Sequence, residues 1–145
     1  MTARFYRRLR TAPTIGRLVP AYATFAVLKH VVPLPTLARW AWKRQRRPRD
    51  PNAERRVIAA VARLRHWFGA EEDCLQSSLI LYRELSALGA DPKLAVGFRR
   101  LDDRVEGHAW VFVDGRVIPG EIYQQPFAPA LHFGRGGVVV SESES

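Results

Sequence analysis

The spacing of apolar residues changes period once along the chain. From about Ala53 to Phe68 they recur three and four apart, at Val57, Val61, Leu64 and Phe68, which predicts a helix with one buried stripe. Asn52 reads as its N-cap and Gly69 as its stop. A second helix is expected after Asp73, acting as N-cap, with Leu75, Leu79, Tyr82, Leu85 and Leu88 on one side and Gly89 at its end. Downstream the period becomes two. Leu94, Val96 and Phe98 alternate with polar or small residues, as do His108, Trp110 and Phe112, while Val117, Ile118 and Ile122, then Val138 to Val140, suggest further strands. Helices first and an antiparallel sheet after define an α+β domain.

Asp114-Gly115 is the strongest turn signal, because a two-residue hairpin loop favours Asp-Gly. Such a turn places Val113 opposite Arg116 and Phe112 opposite Val117, and the same count places His108 opposite Glu121. Asp114 itself lies six residues from His108, about 20 Å along a strand. Asp102, Asp103 and Glu106 are possible substitutes for Glu121, but read as hairpin-loop charges.

The first 47 residues read differently, as basic helical pieces broken at Pro13, Pro20, Pro33 and Pro35. Together these patterns divide the chain into a basic amino-terminal segment (1–52), a core (53–140) and a frayed tail (141–145). At 145 residues a single domain is expected. Leu18 to Leu28 is the most apolar stretch, but Lys29-His30 ends it well short of the roughly 20 residues a bilayer requires. Without a signal-peptide pattern, the cytoplasm is the expected compartment.

The formal net charge is +9, and almost all of the excess precedes Asp50. Such a patch suits an acidic partner, or peripheral contact with an anionic membrane surface through the amino-terminal helices. Nucleic acid is the least favoured partner, because no recognition motif or phosphate-cradling glycine loop accompanies the charge.

One cysteine, Cys74, excludes an intramolecular disulfide framework and any cysteine-rich zinc site, and the four histidines are too scattered for a helical metal pair. No metal or cofactor is implied. Cys74 follows Glu71-Glu72-Asp73 at a helix start, where the positive end of the helix favours a thiolate. An imidazole on a strand, His108, can accept its proton, and a carboxylate such as Glu121 can orient the ring. The alternative for a lone cysteine is a small buried hydrophobe.

The stretches CLQSSLILYRELSALG at 74–89, LAVGF at 94–98 and HAWVFVDG at 108–115 resemble the transglutaminase-like leader peptidases of lasso-peptide biosynthesis, in the split form without a fused leader-recognition domain. The resemblance covers roughly residues 55 to 125. It implies a papain-like Cys–His–Asp site on an α+β fold, with Cys74 as nucleophile and His108 as base. The family's acid follows the histidine by about a dozen residues, where this chain has Gly120 and then Glu121. Ser77 stands where many relatives carry arginine, so no role passes to it.

The reaction so implied is attack of Cys74 on the carbonyl at the leader–core junction, with His108 returning the proton to the departing amine. The Cys74 N–H is an expected oxyanion donor, and Gln76 is a second candidate whose alternative is a helix-surface amide. Trp110, Phe112 and Trp67 read either as groove lining or as core. The implied partners are a precursor peptide, a separate leader-recognition protein and a lasso cyclase. Two other readings stand beside this one: an acyltransferase that passes the acyl group to an amine, and a non-enzymatic basic adaptor with an incidental thiol.

Overall fold

The computed structural model describes residues 3–68, 74–118 and 128–141. Four helices precede five strands: α1 (Ala3–Leu28), α2 (Leu34–Ala41), α3 (Pro51–Trp67), α4 (Cys74–Ala87), β1 (Lys93–Leu101), β2 (Arg104–Val113), β3 (Arg116–Ile118), β4 (Ala128–Phe133) and β5 (Val139–Val140). The strands form one antiparallel sheet in the order β3-β2-β1-β4-β5, which is the expected α+β architecture.

Helix α4 is the centre of the fold. Gln76 to Tyr82 and Glu84 to Ser86 are all buried, so the helix is enclosed on every side rather than along a single stripe. Leu79, Ile80, Tyr82 and Leu85 join a core with Leu18, Tyr22 and Phe25 of α1, Val57 and Leu64 of α3, and Leu94, Val111 and Phe133 from the inner face of the sheet. Each fully buried Leu, Ile or Phe contributes about 1.5–3 kcal/mol. Gly89 ends the helix with a positive φ of 82°, while the Ala90 N–H reaches back to the Leu85 carbonyl. At its side, Glu84 accepts from Arg17 of α1 at 2.9 Å, so the buried carboxylate is paired.

Several boundaries differ from the sequence reading. Pro13 and Pro20 do not break the amino-terminal segment, since α1 runs through both. Each proline removes one backbone donor, and the burial of Ile15, Leu18, Tyr22 and Phe25 along one side offsets that loss. Pro33 and Pro35 do mark a break, lying at the start of α2. Asp50, not Asn52, caps α3: its carboxylate accepts the Asn52 N–H at 2.9 Å, and Pro51 takes the first helical position, where no donor is needed. Phe68 is exposed, outside the α3 stripe, and its ring stacks on Tyr22 at 5.5 Å. Val138 precedes β5 rather than joining it, since the turn at Arg135–Gly137 occupies the chain up to that point. Gly69, Asp73, Ile122 and the last four residues of the tail lie outside the described residues.

The β2–β3 hairpin has the predicted register, Val113 with Arg116 and Phe112 with Val117. Asp114 and Gly115 both take positive φ (52° and 74°), as a type I′ turn requires. Glu106 is a strand residue, not a loop charge, and pairs with Arg99 at 2.8 Å across the β1–β2 ladder. Asp102 occupies the tight turn between those strands with a φ of 51°.

Candidate active site

The first residue of α4 meets the middle of β2. Cys74 is half-buried, and its sulfur accepts the Ala109 N–H at 3.4 Å. Two bond lengths separate that nitrogen from the Cα of His108, so the sulfur lies within about 6 Å of it. His108 is the residue of β2 opposite Gly97 of β1.

Ala109, Val111 and Val113 are buried toward the helices, whereas His108, Trp110 and Phe112 alternate onto the other face of the sheet. There the His108 and Trp110 rings stack at 5.9 Å and 21°, and Phe112 meets Trp110 edge-on at 6.2 Å. His132 of β4 continues the row, its ring 6.3 Å from Phe112. Trp110 therefore sets the plane against which the His108 ring rests. Trp67, the third aromatic singled out by sequence, is exposed at the end of α3.

Gln76 is not a surface amide. It is buried, and its Nε2 donates to the Tyr22 carbonyl at 2.8 Å while its Oε1 accepts from Lys29 Nζ at 3.5 Å. The amide thus fastens the first turn of α4 to α1, and with it the position of Cys74 two residues earlier. Sequence reading missed this role. The available signal was a polar run, Gln76-Ser77-Ser78, inside an otherwise apolar helix. Ser77 is buried too, and its Oγ forms no hydrogen bond among the described residues.

The acids separate clearly. Asp114, at the hairpin turn, is paired with Arg49, whose Nη2 donates to its Oδ2 at 2.6 Å while Nε donates to Glu54 at 2.7 Å. That hydrogen bond holds the Asp114 carboxyl below the usual carboxylate range. Glu121 and the acidic run Glu71-Glu72-Asp73 lie outside the described residues. Among the described residues no group of three or more His, Cys, Asp or Glu side chains is arranged to hold a metal ion. No described helix is long and apolar enough to cross a membrane.

A thiol at a helix start, against a strand that carries a histidine, can form and hydrolyse or transfer an acyl group. The family model described as the transglutaminase-like superfamily matches residues 15–132. Neither a curated protein nor a solved structure matches the chain.

Proposed function

Since the chain belongs to the transglutaminase-like superfamily, which includes cysteine peptidases and acyltransferases, we propose that it is a cysteine peptidase removing the leader from a lasso-peptide precursor. The observation that carries this reading is the hydrogen bond from the Ala109 amide to the Cys74 sulfur. It sets the only thiol of the chain one residue from the histidine of the HAWVFVDG motif. Cys74 Sγ attacks the carbonyl at the leader–core junction as its proton passes to His108. His108 then protonates the departing core amine, and water releases the leader as a free carboxylic acid. Glu121, three residues beyond β3 in the sequence, is the acid proposed to orient the ring.

Trp110 supports this chemistry indirectly. A ring stacked on one side of the imidazole limits its swing, which favours a fixed orientation of the base. The proposed partners are the precursor, a separate leader-recognition protein and a cyclase that takes the freed core. The proposed setting is the cytoplasm. Adding the recognition protein raises turnover by concentrating the leader at the site.

The test is a reconstituted reaction of precursor, recognition protein and this chain, read by mass spectrometry. Wild type yields leader with a free carboxylate, and Cys74→Ala yields none while keeping its melting temperature. Leader appearing as an amide of an added amine would identify an acyltransferase instead. Undiminished cleavage by Cys74→Ala would reject both.

A further inference from the structure

At the end of α4 remote from Cys74 lies an open cavity of about 670 Å³. Arg44, Arg46, Arg47 and Arg135 line it, with Trp42 as an apolar wall and Asp91 as its acid. Asp91 is already paired with Arg135 at 3.0 Å. The guanidinium groups of Arg44, Arg46 and Arg47 are exposed and form no ion pair among the described residues. The first 49 residues hold twelve Lys and Arg and no Asp or Glu, and of the acids that follow, Asp50 caps α3 and Glu54 pairs with Arg49.

The backbone that carries the arginines is held in place. The Lys43 N–H donates to Ser86 Oγ at 3.1 Å and the Arg46 N–H to the Ala87 carbonyl at 3.3 Å, which seats the 43–47 stretch on the last turn of α4. Gln45 lies so close over Gly89 that a side chain there would collide with it. Like charges gathered around a concavity repel one another and focus a positive potential into it, and an anionic ligand relieves both effects.

We propose that this cavity is an exosite for an acidic stretch of the peptide substrate. The class of ligand follows from the lining. Guanidinium forks match carboxylates in pairs, and Trp42 offers an apolar contact to the side chains between them. The cavity borders the negative end of α4, which opposes any anion, so the attraction comes from the arginines, and a peptide that spreads several carboxylates over Arg44, Arg46 and Arg47 engages more of them than one compact phosphate. The volume falls within the range of about 300–1,000 Å³ that ligand pockets occupy.

The exosite rests on the peptidase reading for its purpose, and the geometry sets a spacing. Helix α4 has 14 residues, so the cavity and the thiol are about 20 Å apart. An extended peptide spanning both needs at least about six residues. The acidic stretch therefore lies six or more residues from the scissile bond.

The test uses the full chain and a fluorescein-labelled Glu-Ala-Glu-Asp-Ala-Glu peptide, followed by anisotropy at low salt. Each exposed charge pair is worth a factor of about two to three, so Arg44→Gln/Arg46→Gln/Arg47→Gln weakens binding about tenfold at an unchanged melting temperature. The Gln/Asn version of the peptide does not bind, and alkylating Cys74 with iodoacetamide leaves affinity unchanged. Equal binding by the triple variant overturns the exosite. So does displacement by inorganic phosphate beyond that by sodium chloride of equal ionic strength, or tighter binding of an oligodeoxythymidine. Cleavage separates the two proposals. Cys74-dependent turnover with the same KM in the triple variant removes the exosite alone. Specific peptide binding without Cys74-dependent turnover removes the peptidase reading alone.

Discussion

The backbone N–H of Ala109 points at the sulfur of Cys74 across 3.4 Å, joining the start of the central helix to the strand that carries His108. This contact does not depend on the side chain at position 109. It survives most substitutions there and is disturbed only by moving the strand or the helix. The thiol is therefore located by the fold itself.

His108→Ala is expected to reduce leader removal below about one per cent of wild type, since nucleophile and base act as a unit. The half-buried ring contributes packing against Trp110, so a modest fall in melting temperature accompanies the loss. Single-turnover cleavage, measured together with iodoacetamide labelling of Cys74, checks both effects.

For the orienting acid, Glu121→Gln is expected to lower kcat substantially without abolishing it, because loss of the third member of a triad is milder than loss of the first two. Asp114→Asn is expected to keep a near-wild-type rate. Asn-Gly serves the same turn, and the Asp114 carboxylate is already paired with Arg49. Parallel kcat measurements decide: a rate collapse in Asp114→Asn with Glu121→Gln unaffected would reverse the assignment.

Gln76→Leu distinguishes a fastening amide from an oxyanion donor. As a fastening residue, its loss leaves the buried Tyr22 carbonyl without this donor and costs about 1–3 kcal/mol in urea unfolding. The rate well below the melting temperature then falls less than tenfold, in contrast to the roughly 10²–10³ expected for a lost oxyanion donor.

Tyr82 links α4 to the turn before β5, donating from its Oη to the Gly134 carbonyl and accepting the Gly137 N–H at 3.1 Å. Burial pushes its phenol from 10.0 up to about 12. A group whose folded pKa is raised contributes fully below its unfolded pKa and loses that contribution as pH rises through the folded one. Wild type should therefore lose stability between about pH 10 and 12 relative to Tyr82→Phe. At neutral pH the variant should be the less stable by about 1–3 kcal/mol, with both backbone groups left without the hydroxyl. Urea titrations across that range test both signs.

What could be read from the sequence depended on how local its cause was. The Asp-Gly turn fixes its own register, so the pairing of Phe112 with Val117 follows from counting. The α3 stripe of Val57, Val61 and Leu64 is likewise a property of spacing alone. Gln76 was illegible because an all-round buried helix has weak periodicity, and only the presence of α1 makes its amide an internal tie. Pro13 and Pro20 misled for the same reason: tertiary packing along α1 outweighs two missing donors. Cys74 and His108 could be picked out as residue types, but the contact of the Cys74 sulfur with the Ala109 amide depends on how α4 lies on the sheet.

The tie between Gln76 and Tyr22 bears on how modular the molecule is. The amino-terminal helices look detachable in sequence, a basic preface to a catalytic unit, yet Leu18, Tyr22 and Phe25 form one wall of the chamber that encloses α4. Transplanting residues 53–140 alone onto another protein would carry the reactive groups but open that wall to water. A functional graft needs the preface as well, or a replacement surface of the same shape.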